Sequence, residues 1–448
     1  MPTEQELDAQ RQILQAELAK RAEQSRTLHR YYDGECQVPA AVVKARLTNA
    51  YRTLMSMSVA PWGSLVVDSV QDRLEVAGIR SGDERADEQV WGVWQDNAMD
   101  AESKLGHNAA LIDGRCFATV WPDANGQPEI VLDPAEQMIV QYREGSRRHR
   151  QAALRFWDAD GVQHSTLYRP EAIYKFRTPK GSETQWQPRE VDSEPWPLPN
   201  PLGVVPVVEI PVNRKLKPGQ FGFARGEFAH CLGVLDRINL LTFLGLVVAL
   251  WMGFPLRGVI GDKILRDDEG KPLPPFNADA DSVFQLENPE AKLAEYQAAD
   301  RGTLSIYAEL DQLATLTKTP RHYMPMQGGI SNVSADMIRA SEGSMHAKVP
   351  SHKASIGEGW EEVLRLAGRM LEQPVELSQR AEMVWMDHES RSMAERADAA
   401  SKLKDVLPWQ ALAERVLNAN QDEISRWESQ RASDAFGALI AAAREPAQ

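Results

Sequence analysis

The feature that most constrains this chain is an uncharged stretch in its middle, where the 19 residues between Arg237 and Arg257 carry no charge. Its strongly apolar part, residues 240–254, is 15 residues long and lies in a segment with a helical pattern, residues 227–253. A helix that is apolar on all sides is normally buried. The chain must therefore place this helix in a membrane, in a deep core or in a tightly packed subunit interface.

The membrane alternative rests on residues 238–256. A spanning helix needs roughly 20 mostly apolar residues, and the stretch reaches that length only if polar or helix-breaking residues such as Asn239 and Pro255 are included. It is the only candidate span, and long polar regions flank it on both sides. We favour burial by protein, with a membrane-associated protein anchored by residues 238–256 as the alternative.

The charge balance argues against a protein that grips nucleic acid. The chain has 50 Lys and Arg against 64 Asp and Glu, a formal net charge of −14. Proteins that wrap DNA use clusters of Lys and Arg to displace its counterions. One basic cluster, residues 143–150, lies in a predicted turn, and we interpret it as a solvated loop or a protein contact.

The cysteines and the amino terminus point to a reducing compartment. Cys36, Cys116 and Cys231 are far apart and form no Cys-x-x-Cys pair, which predicts neither a disulfide framework nor a thiolate zinc site. The first residues are polar and acidic, unlike a signal peptide. We expect synthesis and assembly in the cytoplasm.

No catalytic motif is present in the sequence. The patterns Gly-x-x-x-x-Gly-Lys-Ser/Thr, Gly-x-Ser-x-Gly and His-Glu-x-x-His are absent. His346 and His352 are six residues apart, which is wrong for one helical face. We predict no catalytic residue, no metal and no cofactor, and we keep an enzyme with an unrecognised site as a second alternative.

The amino-terminal half combines helical patterns with a run of short strands, which predicts an α+β fold. The Asn125-Gly126 pair is a strong hairpin signal because it tolerates positive φ angles. The strands form a predicted antiparallel meander packed on helices, and residues 179–201 form a loop. The predicted helices cover residues 4–30, 40–58, a segment with Val66, Val70 and Leu74 that ends near Gly78, and a segment with Trp91 and Trp94 in the core. The predicted strands cover residues 116–121, 129–132, 138–142, 152–157, 164–168 and 172–176.

The carboxy-terminal half is mostly helical by pattern. A helix over residues 301–318 ends at Thr319-Pro320. A long helix over residues 335–371 should kink or break near residues 346–350, because Pro350 removes a backbone donor and clashes with the preceding turn. Further predictions are a strand over residues 383–387, helices over 392–406 and 409–426, and a tail from 435.

Several segments, in order along the chain, resemble the portal proteins of tailed bacteriophages. One is Leu202-Gly203-Val204-Val205-Pro206 with Asn213-Arg214, followed by Gly226-Glu227 and the apolar helix. Another is residues 331–342, followed by Lys348 and residues 360–367. The resemblance extends from about residue 5 to residue 430.

The resemblance implies a portal fold with a mixed wing, a two-helix stem, a small strand-rich clip and a helical crown. The implied parts are a wing (1–225), stem helix 1 (226–254), a clip (255–299), stem helix 2 (300–320), a tunnel loop (321–334), a long helix (335–373), and a crown with a tail (374–448).

The resemblance also implies which residues serve the channel. The tunnel loop would contribute Tyr323, Met324, Pro325, Met326, Gln327, Gly328, Gly329, Ile330, Ser331 and Asn332. The stem would pack within the helix pair and between subunits through Leu240, Phe243, Leu244, Val247, Trp251, Leu310 and Leu313.

The function implied by the resemblance is that of a ring of twelve copies at one capsid vertex of a virion. Double-stranded DNA would pass through it, without sequence-specific binding, during packaging and ejection. The implied partners are the terminase large subunit, a head–tail adaptor, and the major capsid and scaffold proteins.

Overall fold

The structure of the chain is a computed structural model that describes residues 3–36, 49–182, 185–191, 194–217, 220–253, 256–260, 290, 292–296, 302–325, 335–389 and 391–444. It divides into two compact units. The first comprises Met1–Cys36, Pro61–Leu232 and Leu313–Gln448, and the second comprises Gln37–Ala60 and Gly233–Gln312. The chain thus leaves the first unit after Leu232 and returns to it at Leu313.

Helices and strands are both abundant among the described residues, as an α+β fold requires. The helices are α1 (Glu4–Asp33), α2 (Asn49–Met57), α3 (Trp62–Gln71), α4 (Glu84–Asp96), α5 (Met99–Asp113), α6 (Leu232–Gly253), α7 (Gly302–Thr317), α8 (Ala335–Ser341), α9 (Gly343–Gly368), α10 (Met393–Leu403), α11 (Trp409–Arg415) and α12 (Gln421–Arg444). The strands are β1 (Val76–Arg80), β2 (Arg115–Pro122), β3 (Pro128–Asp133), β4 (Met138–Tyr142), β5 (Arg150–Ala159), β6 (Val162–Tyr168), β7 (Ala172–Arg177), β8 (Gln187–Pro188), β9 (Leu198–Pro199), β10 (Val207–Pro211), β11 (Lys215–Lys217), β12 (Gln220–Phe223), β13 (Leu256–Ile260), β14 (Lys292–Tyr296) and β15 (Glu382–Trp385).

Helix α1 begins and ends on strong local signals. Thr3 and Glu6 form a reciprocal capping box, which satisfies backbone donors that the first turn leaves free. Gly34 ends the helix with φ +73°, a left-handed conformation that glycine adopts at little cost. Its buried leucines, Leu7, Leu14 and Leu18, pack into one apolar cluster with strands β4 to β7.

The predicted strands are confirmed, but they form two antiparallel sheets. The first has the order β10-β2-β3, and the second has the order β4-β5-β6-β7-β8, with β9 also paired to β7. The split follows Asp133, where Pro134 comes next in the chain and cannot donate a ladder hydrogen bond. One buried cluster joins the sheets, since Phe117 and Val207 of the first pack with Met138 and Ala153 of the second.

A buried aromatic contact joins α4, α5 and α9. The Trp94 and Trp360 rings meet edge to face at 5.3 Å between centroids. The Trp360 Nε1–H group donates to His107 Nε2 at 2.9 Å. Burial lowers the pKa of His107 to about 4, so the imidazole is neutral and can accept this bond. The core positions predicted for Trp91 and Trp94 are confirmed.

The prediction of one helix through Val66, Val70 and Leu74 to Gly78 is wrong at its end. Helix α3 stops at Gln71, and residues 76–80 form β1, which pairs antiparallel with β15. The partner strand lies about 300 residues later, and such distant pairing overrides a local helical pattern.

Two predictions about the carboxy-terminal helices also need correction. The long helix is interrupted at Glu342, and α9 then continues through Pro350. Val349 and His352 beside this proline are buried, and their packing offsets the lost backbone hydrogen bond.

The helix predicted over residues 409–426 is two helices. Asn418 adopts φ +61° between them, and the Asn420 side chain accepts a bond from the Glu423 backbone N–H, which starts α12. Helix α12 then extends to Arg444, into the predicted tail.

The apolar helix begins later than predicted, at Leu232, whereas α7 nearly matches its prediction. Strand β13, after α6, pairs antiparallel with β14, before α7. The Arg237 guanidinium of α6 donates to Glu309 Oε2 at 2.8 Å and to Gln312 Oε1 at 2.9 Å on α7. Most of the predicted clip, residues 255–299, lies outside the described residues.

Candidate channel segment and its anchoring ion pairs

Helix α6 leaves much of its apolar surface uncovered by the chain. Only 28% of the span Leu232–Leu250 is buried, and Leu244 is 46% exposed. Among the described residues this is the one helix long and apolar enough to cross a membrane, by length and composition only. A single such helix is weak support for a membrane protein, because subunit interfaces and cores use the same composition.

The structure separates the predicted stem-packing residues into two groups. Phe243, Leu310 and Leu313 are buried within the chain, so another copy cannot cover them. Leu240 and Val247 are half-buried and Leu244 is exposed, so these three are available to another copy. The side chain of Trp251 lies outside the described residues.

The segment before α6 is fixed by a close backbone approach. A Cβ atom at Gly226 would lie 1.8 Å from the Ile112 carbonyl oxygen, so only glycine fits here. The next residue, Glu227, donates its backbone N–H to the Leu111 carbonyl at 2.8 Å. Its side chain is thereby held in the interior of the first unit, where it is 4% exposed.

Three side chains meet at the Glu227 carboxylate, one from the segment after β10 and two from α9. Asn213 Nδ2 donates to Oε1 at 2.6 Å, and His352 Nε2 lies 2.9 Å from the same oxygen. Lys348 Nζ donates to Oε2 at 2.7 Å and to the Thr317 carbonyl at 2.8 Å. We call Asn213, Glu227, Thr317, Lys348 and His352 the root cluster, because it joins the segment before α6 to the end of α7 through α9.

The charge on Glu227 depends on its partners. Burial alone raises the pKa of this carboxyl, but the hydrogen bond from His352 and the Lys348 ammonium outweigh burial, and the pKa falls well below its usual range. The carboxylate is therefore ionised in the folded chain at neutral pH. A buried ion pair of this kind is costly to break from one side, because the remaining charge has no solvent to replace its partner.

A second cluster brackets the predicted tunnel loop. Arg73 Nη2 donates to the Tyr323 hydroxyl at 2.6 Å, and this hydroxyl donates to Glu342 Oε1 at 2.9 Å. Ser341 Oγ lies 3.0 Å from His322 Nδ1, and His346 Nε2 lies 3.3 Å from Glu342 Oε2. We call these six residues the bracket cluster, since they tie residues 322–323 to residues 341–346 and to Arg73.

The bracket cluster changes the interpretation of the predicted loop. Met324 is 5% exposed and the half-buried Tyr323 is held by two hydrogen bonds, so both residues are anchored at the start of the predicted loop. Pro325 is exposed. The other predicted loop residues lie outside the described residues: Met326, Gln327, Gly328, Gly329, Ile330, Ser331 and Asn332.

Comparison with known proteins decides the family. The model of one family, described as "Phage portal protein, SPP1 Gp6-like", matches residues 11–435. The chain belongs to this family of phage portal proteins. Portal proteins are structural components of phage particles, and the resemblance noted in the sequence is confirmed.

Two curated portal proteins show how close the relationship is. The chain is 30% identical over 401 residues to the "Portal protein" of Mycobacterium phage D29, covering 84% of this chain and 80% of that protein. It is 31% identical over 402 residues to the "Portal protein" of Mycobacterium phage L5, covering 84% and 79%.

Solved structures similar to this portal chain include two from gene transfer agent (GTA) particles. One is titled "Virion of native gene transfer agent (GTA) particle", with TM-score 0.45, 9% identity, and coverage of 85% of this chain and 97% of the other. The second is titled "Neck of empty GTA particle computed with C6 symmetry", with TM-score 0.46, 10% identity, and coverage of 86% and 99%.

Sequence reasoning missed the root and bracket clusters of this portal protein. Asn213, Glu227 and Lys348 each belong to a segment that carries the portal resemblance, yet their meeting was not predicted. One signal was available, because a single carboxylate beside Gly226, just before an apolar helix, is a candidate for a buried and paired charge. Nothing in the sequence pointed to the Arg73–Tyr323 contact.

A polar cleft in the portal chain bears on the enzyme alternative. It has a volume of about 500 Å³ and is lined by Arg80, Lys353, Asp387, Arg391 and Glu414, among others. These charges are used internally, since Arg80 pairs with Glu414, Arg391 pairs with Asp387, and Lys353 donates to the Met386 carbonyl. Internal contacts therefore hold these charges, while His388 and Glu382 also line the cleft.

Proposed function

We propose that this portal protein assembles into a closed ring of twelve copies at one capsid vertex, and that double-stranded DNA passes through its centre during packaging and ejection. Membership of the portal family over residues 11–435 supports the proposal. The single structural observation that carries it is the exposed apolar surface of α6, with Leu244 at its centre.

A ring explains this surface on energetic grounds. Covering an exposed leucine contributes about 1.5–3 kcal/mol, and contiguous apolar surface on a soluble protein commonly marks an interface. In a closed ring each copy makes the same head-to-tail contact with its neighbour, so one apolar patch stabilises every interface. Leu240, Leu244 and Val247 are the proposed contact residues.

The acidic composition suits a conduit. Each copy carries a net charge of −14, and a wall of that sign repels phosphates and lowers the tendency of DNA to adhere. In the proposal, a separate terminase supplies the work of packaging. Residues 255–299 dock the terminase and later the head–tail adaptor, the wing contacts capsid and scaffold proteins, and residues 326–332 line the narrowest part.

Native mass spectrometry with negative-stain imaging of the purified chain, without detergent, tests the proposal. We expect closed rings of about twelve subunits with a central hole, stabilised by the repeated apolar contact. Protein that stays in solution only with detergent and forms no ring would contradict the proposal and favour the membrane alternative.

A further inference from the structure

One face of the second sheet carries several positively charged side chains. Trp157 of β5 lies opposite His164 of β6, which lies opposite Arg177 of β7, so the three side chains share a face. Arg155 lies two residues before Trp157 and shares that face as well. Arg189 joins them from just after β8. We call these five residues the cationic sheet face.

The aromatic rings of this face are already occupied. Trp157 and His164 stack at 5.0 Å between centroids, with 13° between their planes. The guanidinium groups of Arg155 and Arg189 lie 5.2 Å and 5.3 Å from the Trp157 ring centroid, within cation–π range. The tryptophan therefore holds the arginines in place and has little ring surface left for a ligand.

Two arginines of the face have no carboxylate partner among the described residues, whereas neighbouring cations do. Arg155 pairs with Asp133 at 2.9 Å, and Lys175 pairs with Glu194. Within the part of the chain that the structure describes, the exposed Arg177 makes no ion pair, and the half-buried Arg189 leaves its Nε without a hydrogen-bond partner.

The pKa values of His164 and Arg189 respond to the positive charges on this face. Burial lowers the pKa of His164, and the Arg189 and Arg177 charges lower it further. Burial is also the main cause that lowers the pKa of Arg189; Tyr168 and the Glu194 carboxylate act against it, and the Arg155 and Arg177 charges add to it. A bound anion would relieve both effects, because it would offset the like charges that face one another here.

The geometry favours carboxylates over DNA as the anion. Single-stranded nucleic acid is normally held by bases stacked on open aromatic rings, and the Trp157 ring is covered. Duplex binding draws on many phosphate contacts, each contributing about −0.9 to the salt slope of log K, and only two arginines are free. Each free guanidinium can instead take one carboxylate through two parallel hydrogen bonds.

We propose that the cationic sheet face is a docking surface for an acidic segment of a partner protein, held by Arg177 and Arg189. The complementary charge gives a fast and salt-sensitive contact, and its recurrence on every copy of an assembly would raise the overall affinity through multivalency.

Fluorescence anisotropy of a labelled octaglutamate peptide, titrated with the full chain at low salt, tests the proposal. We expect binding that weakens with salt, and at least about tenfold weaker binding for Arg177→Gln/Arg189→Gln. The matched control is Arg147→Gln/Arg148→Gln, which removes the same charge from exposed residues of the β4–β5 turn and should leave the affinity unchanged.

Three outcomes would overturn this assignment. Equal loss in both double variants would mean that net charge alone attracts the peptide. Tighter binding of a short DNA duplex than of the peptide at the same salt would assign the face to nucleic acid. Without peptide, the Arg177→Gln/Arg189→Gln chain could sediment differently from wild type while the control variant does not. That result would assign the face to contact with a second copy.

Discussion

Glu227 of the root cluster and Leu244 in the middle of α6 lie within twenty residues of each other in sequence, yet they reverse the usual rule that charged side chains are exposed and apolar ones are buried. Glu227 is charged and 4% exposed, whereas Leu244 is apolar and 46% exposed. The buried charge is satisfied inside the chain by Lys348, His352 and Asn213. The exposed leucine has no such cover. Buried polar groups thus reveal what the chain completes by itself, and exposed apolar groups reveal what an assembly must complete.

The largest effect is expected from removing the internal partner. Lys348→Met leaves the Glu227 carboxylate buried without its ammonium and should destabilise the folded chain by about 3–5 kcal/mol. Urea denaturation of both proteins measures the difference. The control is Lys402→Met, whose pair with Asp398 is exposed on α10 and should matter by less than about 1 kcal/mol. Equal midpoints for Lys348→Met and wild type would mean that the pair contributes nothing.

The exposed side of the comparison is tested by Leu244→Asp. The monomer should stay folded because the side chain is exposed, while each subunit contact loses about 1.5–3 kcal/mol of apolar burial and gains a buried charge. Native mass spectrometry should show monomers in place of rings. Leu105→Asp, at a leucine that is 63% exposed on α5, is the matched control and should still assemble. An unchanged ring in Leu244→Asp would refute the role of this position.

The pH dependence of stability sharpens the comparison, because Glu227 can be protonated whereas Leu244 cannot. The folded pKa of Glu227 lies below its unfolded value, so its contribution is complete above about pH 4.5 and is lost as the pH falls toward the folded pKa. The loss should reach about 1.4 kcal/mol per pH unit at most. Urea midpoints of wild type and Glu227→Gln should therefore converge below pH 4.5. A constant difference between them would show that Glu227 is not ionised in the fold.

The smallest effect is expected at the bracket cluster. Tyr323→Phe removes a hydroxyl that accepts from Arg73 and donates to Glu342, and should cost about 1–2 kcal/mol, since Arg73 and Glu342 still face each other at 3.5 Å. Tyr307→Phe, a half-buried tyrosine of α7, should change the urea midpoint little. If Tyr323→Phe lowered the free energy of unfolding more than Lys348→Met does, the bracket cluster would stabilise the chain more than the root cluster.

Much of the local structure was predictable from the sequence because it depends on neighbouring residues. The Asn125-Gly126 turn and the six predicted strands, β2 to β7, depend on short-range signals, and they appear where expected. The end of α3 and the pairing of β1 with β15 were not predictable, because the partner strand is remote. The helix through Pro350 was also missed, because its buried flanks offset the lost hydrogen bond.

The candidate site divides in the same way. By itself the sequence determined that residues 238–256 are uncharged and include an apolar helix that needs cover. Its motifs placed the chain among portal proteins, because composition and motif order are linear properties. Only the tertiary structure decided which stem residues are already covered, such as Phe243 and Leu313, and which remain exposed, such as Leu244. It also decided that Asn213, Glu227 and Lys348 share one buried charge site. The reason is physical: burial and ion pairing depend on distances between residues that the chain brings together only when it folds.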